Sequence, residues 1–164
     1  MAAPYTQVKF MPTGGVNAKN LNDYLSFDKI IACGGSWMVP PELLSAGDYD
    51  GIRELTRTAV KTMLGFELAH VGINAGNEEE AASIAKLFAT VFGFEYKPGN
   101  SSIFTGSYVE VMKTPYLGEK GHIAISTNYI ARAIAYLRSQ GVAFNEKSAK
   151  YDAKGNLAAM YLQE

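Results

Sequence analysis

The chain has 164 residues, 15 Lys+Arg against 16 Asp+Glu, and a formal net charge of −1. With 48% hydrophobic and 19% charged residues it has the material for a packed core, at a length that suits one ordinary domain or two small ones. A near-neutral balance without a basic stripe excludes a nucleic-acid or anionic-membrane surface, and one cysteine, Cys33, excludes an internal disulfide or a Cys-rich zinc site.

The start, Met1 to Gln7, has neither the basic opening nor the apolar run of a signal peptide. The longest apolar region, Ile30 to Pro41, is broken by Gly34, Gly35 and Ser36 and is too short to span a bilayer. A cytoplasmic protein is expected.

Residues 1–64 read as strand, helix, strand, helix. Val8–Met11 is a short apolar run ending at Pro12-Thr13-Gly14-Gly15, and Asn17–Phe27 carries Leu21, Tyr24 and Leu25 at helical spacing. Ile30–Cys33 is a continuous apolar run suited to a strand covered on both faces, and it ends at Gly34-Gly35-Ser36. Asp50–Leu64 places Ile52, Leu55, Ala59, Val60 and Met63 on one helical stripe. Strands alternating with helices, each strand ending in a glycine pair, predict parallel α/β units.

From residue 65 the period changes. In Leu68–Asn74, Ala69, Val71 and Ile73 alternate with Leu68, His70, Gly72 and Asn74. Asn77 with Glu80 three residues on opens a helix that stops at Gly93. Ser102–Thr105 and Tyr108–Lys113 form a hairpin turning at Gly106-Ser107; Gly121–Thr127 is a strand, Tyr129–Gln140 a helix, and Leu157–Gln163 a last strand. His70-Val71-Gly72-Ile73-Asn74 and His122-Ile123-Ala124-Ile125-Ser126 each lead into a helix that stops at a glycine, so the second half contains an internal repeat. The two halves are expected to be domains of residues 1–64 and 65–164.

Backbone at a glycine approaches an anion closely, so the loops at Gly14-Gly15 and Gly34-Gly35 are candidate phosphate sites, with Ser36 able to add a hydroxyl. Tight strand-to-helix turns use glycine pairs as well. Lys9 reads as a solvated strand-end residue and Trp37 as core.

The segment Lys9-Phe10-Met11-Pro12-Thr13-Gly14-Gly15, then Tyr24-Leu25, then Cys33-Gly34-Gly35-Ser36-Trp37 with Val39-Pro40, resembles the C-terminal part of the 2-keto-3-deoxy-6-phosphogluconate and 4-hydroxy-2-oxoglutarate aldolases. The resemblance covers residues 8 to about 62. It implies the last two βα units of a (β/α)8 barrel, whose loops commonly bind phosphate. Gly14, Gly15, Gly34, Gly35 and Ser36 would then hold the substrate phosphate, with Thr13 near the keto-acid end. The family is a class I aldolase that forms a Schiff base between a lysine and pyruvate, uses a glutamate to shuttle protons, and takes no cofactor. Neither catalytic motif has a counterpart in the first 64 residues, so the chain alone is expected to bind phosphate and cleave nothing. Two βα units leave open strand edges and apolar faces, which predicts a homo-oligomer.

In the second half His70, Glu110 and His122 each alternate with β-branched neighbours: Val71 and Ile73, Val109 and Val111, Ile123 and Ile125. If those β-branched faces pack on helices, the three polar side chains share the opposite face. Two imidazoles and a carboxylate suit a divalent metal such as zinc, nickel, manganese or iron; hydrogen-bonded, half-buried polar residues would look the same in sequence. The repeat, with His-Val-Gly-Ile and Gly-His-Ile-Ala-Ile as its openings, resembles the vicinal-oxygen-chelate (glyoxalase-like) superfamily over residues 67–164. That resemblance implies paired βαβββ units around one metal, with His70, Glu110 and His122 at three ligand positions, and an isomerase or lyase activity; a non-catalytic metabolite-binding or assembly module is the other expectation. The fourth ligand, a Glu on a final strand, has no counterpart other than Glu164, and the second unit is expected to lack its last strand. Some clostridial-type aldolases carry such a module after the barrel, so the resemblances together imply a fusion truncated at both ends.

Overall fold

The computed structural model describes residues 6–163, so Glu164 lies outside the described residues. The chain is a mixed α/β protein whose contacts divide it into two compact units. One unit contains the residues up to Gly65 together with those from Thr127 on; the other is Phe66–Ser126. One edge of this division falls where the sequence changes period. The other separates the repeat's second strand from its helix, an edge that the sequence reading did not have.

In the first unit the expected strands Val8–Met11 and Ile30–Cys33 shrink to one parallel bridge between Phe10 and Ile30. It is held by Phe10 N–H to Lys29 O (2.8 Å), Ile31 N–H to Phe10 O (3.1 Å) and Gly34 N–H to Pro12 O (2.9 Å). Two paired segments with no neighbouring strands have little to enforce a full ladder. The helix expected over Asn17–Phe27 is shortened to α1, Leu21–Leu25. Asn17 and Asn20 turn their side chains onto local backbone instead, at Lys19 N–H (2.9 Å) and Asn17 N–H (2.8 Å), which competes with the first helical turn.

A 3-10 turn, Ser36–Met38, precedes α2, Pro41–Ser45, whose proline sits at the first helical position. The amphipathic stripe becomes α3, Tyr49–Leu64. Asp48 caps it by accepting from Gly51 N–H (2.9 Å), and Gly65 ends it in the left-handed conformation that glycine adopts without a steric cost. Val16, Leu21 and Leu25 form the buried centre of this unit, with Ile30, Cys33, Trp37, Met63 and Tyr129 packed around them. Trp37 is therefore a core residue, as expected.

The second unit is a five-stranded sheet covered on one face by a helix. Its elements are β1 (Glu67–Asn74), α4 (Glu78–Phe92), β2 (Tyr96–Pro98), β3 (Ser102–Thr105), β4 (Val109–Met112) and β5 (Gly121–Ser126), in the sheet order β2-β3-β4-β1-β5. β1 runs parallel to β4 and antiparallel to β5. α4 begins with a reciprocal cap, in which Asn77 accepts from Glu80 N–H (2.9 Å) and the Glu80 carboxylate accepts from Gly76 N–H (2.7 Å). Ala81 and Ala85 press its buried face onto Ile103, Val111 and Ala75.

The sequence reading placed Leu68 on the His70 face. A bulge between Leu68 and His70 moves it: Leu68 pairs with Ile125 and Val71 with Ile123, so these four share one face. The β-branched face is covered by a helix only in part. Val111 is fully buried under α4, whereas Ile123 and Ile125 are 70% and 56% exposed. The helix that follows β5, α5 (Ile130–Ser139), falls in the first unit and contacts the strand Leu157–Leu162 there. The remaining strands, β6 (Phe144–Tyr151) and β7 (Leu157–Leu162), pair only with each other.

Candidate functional site

In the first unit the parallel bridge sets the two glycine loops side by side. Its third hydrogen bond joins them directly, from Gly34 N–H to Pro12 O, and a Cβ on Gly34 would sit 3.3 Å from Thr13 Cγ2. Thr13, Gly14, Gly15 and Ser36 are exposed, while Gly34 and Gly35 are half-buried. Gly15 has φ +70°, and its carbonyl accepts from Asn20 Nδ2 (3.0 Å) and Asn17 Nδ2 (3.3 Å), so its backbone geometry needs glycine.

Gly35 is required for a different reason. A Cβ there would overlap the Trp37 ring at 1.7 Å, so the ring lies flat against the glycine backbone. Two features of this region differ from the expected anion cradle. Gly34's N–H is engaged by Pro12, and no long helix starts at either loop: α1 begins six residues after Gly15, and only a 3-10 turn follows Gly35. Neither loop therefore leads directly into a full α-helix.

Lys9 is exposed and its Nζ donates to Asp28 O (3.3 Å), as suits a solvated strand-end residue. Arg132 was not singled out from sequence. Its Nη2 donates to Ile30 O (3.1 Å) and its guanidinium lies 4.6 Å from the Tyr129 ring centre. Burial pushes the Cys33 thiol above its ordinary value, while the Arg132 charge pulls it the other way. A cleft of about 550 Å³ on α3, lined by Arg53, Glu54, Arg57, Lys61 and Tyr136, contains none of these residues.

The second unit brings His70, Glu110 and His122 together. Each lies on the sheet face opposite α4: register pairs Gly72 with both Glu110 and His122, and His70 precedes Gly72 by two on the same strand. Glu110 Oε2 lies 3.0 Å from His70 Nε2 and 3.2 Å from His122 Nε2, and the two Nε2 atoms are 3.1 Å apart. The side chains are 23%, 14% and 11% exposed for His70, Glu110 and His122. The cluster is thus partly shielded and still reachable from solvent.

The donor set fits a cation. Ligands about 2.1 Å from one metal lie about 3.0 Å apart at right angles and about 3.4 Å apart in a tetrahedron, so the 3.0, 3.1 and 3.2 Å sides of this triangle are nearer the octahedral spacing.

Three further residues surround this geometry. A Cβ on Gly72 would sit 2.1 Å from His122 Cε1, so the imidazole occupies the space that a side chain would fill. Ser102 Oγ donates to Glu110 Oε1 at 2.5 Å. Phe104, opposite Glu110 in register, meets the His70 ring edge-on at 5.4 Å between centres. The sequence displayed Gly72 inside the repeat's opening motif, but nothing in it tied either glycine or serine to a partner on another strand.

Comparison with known proteins separates the two regions. Residues 1–55 match the family model described as KDPG and KHG aldolase. A KHG/KDPG aldolase of Escherichia coli is 49% identical over 61 residues, which are 37% of this chain and 29% of that protein. The 2-dehydro-3-deoxy-phosphogluconate aldolases of Treponema pallidum and Dickeya dadantii are 43% and 47% identical over 61 and 60 residues, 37% of this chain and 29% and 28% of theirs. The chain therefore spans less than a third of the length of these curated relatives. A solved structure of a hypothetical protein from Bacillus halodurans aligns with 60% of this chain and 84% of its own, at a TM-score of 0.43 and 15% identity. Among the described residues no helix is long and apolar enough to cross a membrane.

Proposed function

We propose that residues 8–62 form the phosphate-binding end of an aldolase acting on a phosphorylated 2-keto-3-deoxy acid, with Thr13, Gly14, Gly15, Gly34, Gly35 and Ser36 lining the anion site. The observation that carries this reading is the Phe10–Ile30 bridge with its Gly34-to-Pro12 hydrogen bond, which sets the two glycine loops together within the stretch most similar to the aldolases. Backbone N–H groups of glycine loops can attract phosphate oxygens without any side-chain charge. No residue in the first 64 resembles the family's Schiff-base lysine motif, so the chain alone binds the anion and leaves the carbon–carbon bond intact. Titration with inorganic phosphate, followed by amide NMR, should shift the Thr13–Gly15 and Gly35–Ser36 signals, and borohydride in the presence of pyruvate should trap nothing. Unmoved signals, or pyruvate fixed to a lysine, contradict this reading.

A second reading rests on the His70–Glu110–His122 triangle. The second unit, read as a glyoxalase-like module, binds a divalent metal of the zinc, nickel, manganese or iron type through His70 Nε2, His122 Nε2 and Glu110 Oε2. Such an ion acts as a Lewis acid on an oxygen-bearing ligand. Chain purified without chelator and supplied with zinc should retain one ion, and His70→Ala with His122→Ala should retain none. The exposed Ile31 (62%), Ile123 and Ile125 support self-association, which light scattering at tens of micromolar tests against a single monomeric species.

A further inference from the structure

The Glu110 carboxylate faces two different environments through its two oxygens. Oε2 meets the imidazoles, and Oε1 accepts the Ser102 hydroxyl proton at 2.5 Å, the length of a charge-assisted O–H···O bond. Ser102 itself is 7% exposed and held on β3, where it pairs with Met112, two residues along β4 from Glu110. It is thus a diagonal cross-strand neighbour of the carboxylate. Its rotation is restricted by burial, and its single proton is committed to Oε1.

We propose that Ser102 is the positioning residue of the metal site, fixing Glu110 as a one-oxygen ligand; this rests on the metal reading of the triangle. With Oε1 engaged, the carboxylate presents only Oε2, so the site offers two nitrogens and one oxygen. Calcium takes six to eight oxygens and often both oxygens of a carboxylate, whereas zinc and its neighbours accept imidazole readily. The hydroxyl therefore selects against calcium as well as orienting the ligand. Without it, Glu110 is free to rotate about its last bond, and the triangle loses one fixed corner.

The test compares two isosteric variants of the whole chain, Ser102→Thr, which keeps the hydroxyl, and Ser102→Val, which replaces it with a methyl group. Zinc affinity is read by competition with a chromophoric chelator, cobalt loading by its visible absorption, and apo-protein stability by thermal melting. Ser102→Thr should bind zinc within a few-fold of the parent, and Ser102→Val should weaken it by about 10- to 100-fold. The cobalt spectrum should change in the valine variant alone. Calcium should compete with zinc better in Ser102→Val than in the parent. Equal zinc affinity in the two variants overturns the inference and leaves the metal reading standing, as does an equal loss in both. Failure of the parent chain to bind zinc overturns the metal reading and the inference with it. Ser102→Ala, folded by circular dichroism, replaces the valine variant in the same comparison if the latter does not fold.

Discussion

The two glycine loops and the His70–Glu110–His122 triangle are held by opposite means. The loops are placed by three backbone hydrogen bonds around a single parallel bridge, next to a core centred on Val16, Leu21 and Leu25. The triangle is placed by the registers of three paired strands on a sheet whose other face is sealed by Ala81 and Ala85 against Ile103 and Val111. Family likeness runs the other way: the aldolase match lies on the loop-rich part, and the sheet carries the cluster of His70, Glu110 and His122. A phosphate site can be written in local sequence because its donors are backbone groups of one or two short loops. A three-ligand cluster is written in pleat and register, which only the fold assembles.

Glycine substitutions break this comparison one side at a time. The largest effect is expected from Gly72→Ala, whose Cβ would meet the His122 ring. The imidazole must leave the triangle, so zinc affinity should fall on the order of 100-fold or more, and stability by about 1–3 kcal/mol. Competition with a chelator and a denaturant melt read the two losses, and phosphate-induced NMR shifts should be unchanged. Next comes Gly35→Ala, which forces the Trp37 ring out of its place beside the first core. Phosphate shifts should vanish, Trp fluorescence should move to the red, and about 1–3 kcal/mol of stability should be lost, with zinc binding retained.

The smallest effect concerns Cys33. Burial raises its thiol pKa and the Arg132 charge lowers it, in that order of size. The thiolate, which is the reactive form, therefore appears at higher pH than in a free thiol. The midpoint of the alkylation rate against pH should lie above the ordinary value and should move further up in Arg132→Ala. A downward movement would mean that the guanidinium does not act on this sulfur.

Much of this architecture was readable in the sequence, for identifiable reasons. α3 and α4 have long apolar stripes with Asp48 or Asn77 at one end and Gly65 or Gly93 at the other, so period and caps agree. The strands of the first segment were overread, because an apolar run such as Ile30–Cys33 specifies burial but not the neighbours that complete a ladder. The residue pattern alone gives no range for β6, since Phe144–Tyr151 carries four charged or amide residues and its partner is β7. His70, Glu110 and His122 were legible through strict alternation with β-branched residues. Ser102 was not, because its role depends on the offset between β3 and β4, which no local pattern encodes. The bulge at Leu68 was equally hidden, as it arises from pairing with β5.

Hydrogen exchange followed by mass spectrometry, on the whole chain alone, with zinc and with inorganic phosphate, tests the division of labour most directly. The account predicts that zinc slows exchange in β1, β4 and β5, and that phosphate slows it in residues 12–15 and 34–36, each without affecting the other region. Zinc leaving β1, β4 and β5 unprotected, or phosphate leaving both loops unprotected, would contradict it.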